Sequence, residues 1–167
     1  MEHKTYTLND GREIHIRTIQ SSDMEQLNQF YESLSEASLR WITPPTSDEL
    51  EQRFRYPAYC IGLVTVHDGT VVGYGEICKD SEMHDGELQI HIHQDYQGVG
   101  LGTSMMIMLV KEATDEHLHS INLKVAASNS KAVHLFRKFG FQEMHSTQEL
   151  YGGEEHDTLH MSKLLNR

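Results

Sequence analysis

The chain has 167 residues, 38% hydrophobic and 23% charged, the balance of a globular protein with its own core. Its 25 acidic and 14 basic side chains leave a formal charge of −11, which excludes a nucleic-acid binder, since such binding rests on neutralising cations. No run of about 18 apolar residues occurs, which excludes a membrane-spanning helix. The first residues, Met1-Glu2-His3-Lys4-Thr5, lack the apolar stretch of a secretory signal. One domain over residues 1–167 in the cytoplasm is the expectation. Cys60 and Cys78 have no metal-type spacing, and in that compartment they read as reduced core thiols.

Asn9-Asp10-Gly11 is a turn signal within residues 7–18, and Ile14 and Ile16 then alternate with polar neighbours, so a short hairpin forms whose second arm, residues 13–17, is the first well-formed strand. Ser22 and Glu25 stand at capping-box spacing before Met24, Leu27, Phe30, Tyr31 and Leu34, which predicts an amphipathic helix over 23–34. Pro44-Pro45 interrupts, and Ser47 or Asp48 caps a second short helix to about Arg55. Residues 59–66 and 71–79 are β-rich and flank His67-Asp68-Gly69-Thr70, a hairpin turn. Gly73 and Gly75 inside the second arm mark a bulge or a close backbone approach. Residues 80–86 are a polar loop. Strands follow at 88–93 and 121–125, and helices at 103–117 and 128–139, the last closed by Gly140. Residues 141–150 and 155–164 pair through Gly152-Gly153.

The class is α+β: one central, mostly antiparallel twisted sheet of six or seven strands, helices on both faces, with parallel crossovers around residues 88–145. Gln97-Gly98-Val99-Gly100-Leu101-Gly102 lies where an apolar strand runs into a helix. Glycines there let backbone amides approach a ligand, and a helix N-terminus offers free N–H groups to phosphate. No lysine follows as a Walker loop requires, and the third glycine of a Rossmann loop is missing. What fits is Gln-x-x-Gly-x-Gly.

A second stretch stands downstream at Asn129-Ser-Lys-Ala132-Val-His-Leu135-Phe136-Arg-Lys138-Phe-Gly140-Phe141. With the glycine motif and the strand order, it makes most of the chain resemble the Gcn5-related N-acetyltransferase (GNAT) superfamily, in particular its bacterial single-domain members. That resemblance implies a sheet splayed at the cofactor-binding strand and transfer of acetyl from acetyl-coenzyme A to a primary amine, on a small molecule or a protein lysine. It implies that the backbones of Ile90, His91 and Ile92 hold the pantetheine arm as an added strand. Gln97 and the amides of Gly98, Val99, Gly100, Leu101, Gly102 and Thr103 would cradle the pyrophosphate. Asn129 would bond the pantetheine amide, and Phe136 would pack beside the thioester.

Each role has a plainer counterpart: Asn129 as a helix N-cap, Phe136 as a core residue with Ala132, Leu135 and Phe139. Many superfamily members carry at position 136 a tyrosine that protonates the leaving thiolate, and Phe136 has no proton to give. Glu87, at the start of the cofactor strand, matches the candidate general base, with Glu76 second and His91 or His93 as further alternatives. Its plainer counterpart is a solvent-facing strand carboxylate. His91 and His93 share a strand face without a third ligand at zinc spacing, so no metal is expected. Tyr31, Trp41 and Tyr151 are candidates to wall the acceptor site. A non-catalytic acetyl-coenzyme A sensor is the competing function, and residues 141–164 are candidates to pair in a homodimer.

Overall fold

The computed structural model describes residues 3–165. Its strands are β1 (Lys4–Thr7), β2 (Glu13–Thr18), β3 (Cys60–His67), β4 (Thr70–Lys79), β5 (Asp85–Ile92), β6 (Ser120–Ala126), β7 (Gln142–Tyr151) and β8 (Glu154–Leu164). Its helices are α1 (Met24–Glu32), α2 (Glu36–Leu39), α3 (Ser47–Arg55), α4 (Leu101–Asp115) and α5 (Ser130–Lys138). The strands form one eight-stranded sheet in the order β1-β2-β3-β4-β5-β6-β8-β7. Every pairing is antiparallel except β5 with β6. The sheet thus exceeds the expected six or seven strands, because Lys4–Thr7 pairs fully with β2 across the Asn9-Asp10-Gly11 turn.

Strand alternation sorts the side chains onto two faces. On one, Ile61, Leu63, Ile77, Leu88, Ile121 and Leu123 bury against Met105, Met106 and Leu109 of α4 and Val133 and Phe136 of α5. On the other, Val64, Val71 and Tyr74 bury against Leu27, Phe30 and Tyr31 of α1 and Leu50 of α3. Gly73 and Gly75 let α4 sit directly on the sheet. A Cβ at Gly75 would lie 2.9 Å from Leu109 Cδ1, and one at Gly73 3.1 Å from Met105 Sδ. The β3–β4 register also shifts beside Gly73, so the bulge and the close approach are both present.

Three local expectations change. The helix over 23–34 opens instead as a 3-10 turn, Ser21–Asp23, because Asp23 is buried and its carboxylate accepts from Arg17 and from the Gln20 amide. The cap of α3 is Thr46, whose hydroxyl accepts from the Glu49 amide while Glu49 reaches back to the Thr46 amide. The cysteines are a bonded pair, Cys60–Cys78, not free core thiols. They face each other across β3 and β4 with Cα atoms 4.1 Å apart, and both are half-buried.

Among the described residues, no helix is long and apolar enough to cross a membrane. β7 forms one outer edge of the sheet, and Met144 and Leu150 on it are exposed.

Candidate active site

Strand β5 decides where a ligand fits. One edge pairs with β4 from Gly73↔Ile92 to Lys79↔Gly86. The other pairs with β6 only over Asp85↔Ser120, Gly86↔Ile121 and Glu87↔Asn122. Beyond Glu87 the strands part, and β6 pairs with β8 instead. Residues 88–92 therefore present a strand edge without a ladder partner, which water or an extended ligand must satisfy. Ile90, His91 and Ile92 are on that edge.

At the end of β5 the chain turns through residues 93–100 into α4. Gly98 and Gly100 have φ of +74° and +92°, a left-handed backbone that favours glycine. The α4 ladder begins where the Ser104 amide donates to the Gly100 carbonyl, so the amides of Leu101, Gly102 and Thr103 precede it unpaired within the helix. A Cβ on Gly98 would meet nothing within 4 Å, whereas one on Gly102 would press on Leu135 at 3.1 Å and Ile92 at 3.3 Å. Gly98 therefore faces open space, and Gly102 keeps α4 and α5 close to the strand end. Gln97 is otherwise engaged: its side-chain amide donates to the Ile92 carbonyl at 3.3 Å, tying the loop to β5.

The buttress of this loop comes from the far end of the chain. The Asn9 amide donates to the Val99 carbonyl at 2.9 Å, and the Asn9 side chain packs on Gly100. Arg12 donates to the Asp95 carbonyl and lies over the Tyr96 ring, 4.0 Å from its centre. Lys138 Nζ reaches Thr103 Oγ1 at 3.4 Å, adding a cation beside the helix N-terminus. The sequence reading took Asn9 as a turn residue only and gave Arg12 and Lys138 no task. Arg12 directly follows the turn and Lys138 lies in the second motif, but neither position names its partner.

Asn129 precedes α5 yet makes no side-chain cap, and among the described residues its side chain has no hydrogen-bond partner. It thus occupies the N-cap position, as its plainer reading has it, but leaves its side chain uncommitted. Phe136 is buried, edge-on to Phe141 at 5.9 Å, so the core reading holds for it. Glu87 is exposed on the last β5–β6 pair, at the mouth of the opening. Glu76 is buried under a full set of partners. Tyr74 donates to Oε1 at 2.7 Å, Arg53 donates to both oxygens at 3.2 and 3.3 Å, and Cys78 Sγ lies 3.2 Å from Oε2. Such a carboxylate is a structural anchor between α3 and β4.

His91 is also buried, 2.9 Å from the Tyr31 hydroxyl of α1. Burial pushes its ring down to about 4, and burial with the nearby Glu76 charge drives the Tyr31 hydroxyl far above its ordinary range. At neutral pH both are uncharged, and the pair fastens α1 to β5. Gln94 fastens the next segment: its side chain accepts from the Ser35 amide and Ser38 hydroxyl and donates to the Ser33 carbonyl. That fixes α2 and so Trp41, whose ring lies edge-on to Tyr151 at 5.7 Å and His156 at 5.2 Å. Trp41 and Tyr151 thus lie together with His156, while Tyr31 packs against His91. Beside them is an open groove of about 400 Å³ lined by Glu36, Leu39, Arg40, Gly152 and Glu154.

A sheet that opens along one strand edge, with a glycine loop and a helix N-terminus at the open end, defines a protein built for an extended, phosphate-bearing ligand. Residues 27–141 match the family model described as Acetyltransferase (GNAT) family, and the chain belongs to that family as an N-acetyltransferase. It is similar to the spermidine N(1)-acetyltransferase of Vibrio cholerae, 30% identical over 159 residues, 90% of this chain and 85% of that one. It is 31% identical to the L-amino acid N-acyltransferase MnaT of Escherichia coli over 83 residues, spanning only 47% of this chain and 48% of that relative. A solved GNAT-family acetyltransferase from Streptococcus pneumoniae superposes with a TM-score of 0.81 at 27% identity, covering 92% of this chain and 99% of that one.

Proposed function

We propose that the chain acts as one domain that moves acetyl from acetyl-coenzyme A to a primary amine, directly, with both substrates bound together. The observation that carries this reading is the parting of β5 from β6 beside the α4 amides. The fit is physical: open space at Gly98, unpaired amides at Leu101–Thr103 and an uncommitted Asn129 side chain match a phosphate-and-amide chain lying along β5. Acetyl-coenzyme A supplies an activated acetyl group on a good leaving group. Amides of 98–103 hold its pyrophosphate, Lys138 lowers the cost of its charge, and Ile90 and Ile92 offer backbone groups to its pantetheine arm.

Glu87 takes the ammonium proton of the acceptor, directly or through water, where the strands part. Backbone N–H groups near Ile92 stabilise the oxyanion. Phe136 holds no proton, so the thiolate leaves unassisted or takes one from water. The acceptor comes past Trp41, Tyr151 and His156, on the α1–α2 side. The spermidine and amino-acid relatives support a small amine, and a protein lysine shares the same chemistry.

Coenzyme A release measured with polyamines, amino acids, aminoglycosides and lysine peptides tests the reading. Turnover on one class identifies the acceptor. Phe136 also favours one rival, an acetyl-coenzyme A sensor, and tight cofactor binding without turnover on any amine would establish it.

A further inference from the structure

The bonded cysteines lie on one line with the opening of the cleft. Register pairs run straight across the sheet from Cys60 to Cys78, from Cys78 to Glu87, and from Glu87 to Asn122, where β5 and β6 part. Strand alternation points Cys60, Cys78 and Glu87 to the same face, and directly opposed side chains have Cβ atoms about 5 Å apart. Glu76, two residues before Cys78 on β4, is on that face too, with Arg53 of α3 as the facing cation.

We propose that Cys60 and Cys78 are a reversible thiol–disulfide exchange site for low-molecular-weight thiols and disulfides, and that its state changes the hydrogen bonding of Glu76, two residues from the register partner of Glu87. Both sulfurs belong to half-buried residues, within reach of small reagents from solvent. They stay opposed when reduced, because β3 and β4 are registered from Cys60↔Cys78 to His67↔Thr70 and β4 is registered along β5 as well.

The exchange balances without any other redox group. Reduction begins when the thiolate of a small thiol attacks one sulfur, forming a mixed disulfide and releasing the other cysteine as thiolate, which takes up a proton. A second small thiol attacks the mixed disulfide, so two cysteine thiols and one small disulfide result; oxidation runs in reverse. In this bridged structure Cys78 Sγ lies 3.2 Å from Glu76 Oε2; reduction gives that sulfur a proton, and the dithiol's S–H can donate to the carboxylate. In the bridged form that sulfur has no proton to give. Glu76 then keeps Tyr74 and Arg53 as its only donors, two residues along β4 from the register partner of Glu87.

The effect on turnover rests on the proposed acetyl transfer; the exchange does not. Full-length protein is equilibrated with glutathione disulfide or with dithiothreitol, then alkylated and weighed, and coenzyme A release is measured on each form. The expected result is no alkylation after the disulfide, double alkylation after dithiothreitol, and turnover about fivefold higher when reduced, the weight of one hydrogen bond. The double variant Cys60→Ser with Cys78→Ser, which keeps a hydroxyl donor at position 78, should match the reduced enzyme in either buffer. Two alkylatable thiols after glutathione disulfide, a bridge that dithiothreitol does not open in the native protein, or equal turnover of both forms would each overturn the proposal. Normal exchange with no turnover in either form would instead count against the acetyl transfer.

Discussion

Strand β5 has two edges, and they are used for opposite ends. Its β4 edge is bonded along residues 86–92, and beneath it the side chains are locked, His91 on Tyr31 and Glu76 on Arg53 and Tyr74. Its β6 edge is bonded over residues 85–87 and then released. The released side carries Glu87, the glycine loop and Asn129, whose polar groups are exposed or uncommitted. A strand can leave one edge unpaired only because the other edge and the core beneath it hold it in place. Changes on the open side should therefore cost function without stability, and changes on the closed side should cost stability first.

The largest effect expected on the open side is at the proposed base. Glu87→Gln should lower kcat by about a hundredfold or more while acetyl-coenzyme A affinity holds, as for loss of a general base. Unchanged turnover across the pH range would remove Glu87 from the chemistry. Next is Gly100→Val, which forces a β-branched residue to a φ of +92° against Asn9. Calorimetric titration should show acetyl-coenzyme A affinity down by about a hundredfold, since about 1–3 kcal/mol of strain displaces the amides. Normal binding would sink the pyrophosphate assignment.

The closed side is tested through His91, which is held near 4 in the fold against about 6.5 when exposed. Because the unfolded chain takes up this proton first as pH falls, the stability present above about 6.5 is lost progressively down to about 4. His91→Gln should remove about 3 kcal/mol of that loss between pH 6.5 and 4, read from urea unfolding at several pH values. An unchanged slope would mean that other groups carry the acid sensitivity. Smallest is Asn129→Ala, expected to weaken acetyl-coenzyme A about tenfold with little change in Tm, the reverse of what loss of a helix cap would do.

Much of this arrangement was legible in the chain. β2, the β3–β4 hairpin, α4 and α5 announce themselves because periodicity and turn residues are local signals. Lys4–Thr7 shows only as the first arm of the hairpin at Asn9-Asp10-Gly11, without its bounds, and Glu36–Leu39 does not show at all, being four residues with no apolar period to read. The cofactor loop was visible as a motif, but its props were not: Asn9 lies some ninety residues before Val99, and Tyr31 is 60 residues from His91. Glu76 was read as a spare base because nothing in the sequence pairs it with Arg53. The cysteines did leave a trace, since Cys60 and Cys78 stand almost symmetrically about the Asp68-Gly69 turn. A hairpin with one extra residue brings them face to face.

The contact between the Asn9 turn and the glycine loop has a consequence for the order in which the molecule assembles. Helix α4 and the turn before it can form from neighbours in the sequence, but the wall behind Val99 and Gly100 must be carried in from the opposite terminus. Closing so long a loop has an entropic cost that local structure does not repay. The proposed phosphate cradle is complete only when β1 and β2 have joined the sheet beside β3. A chain caught before that step would contain the whole glycine motif and still lack its binding site.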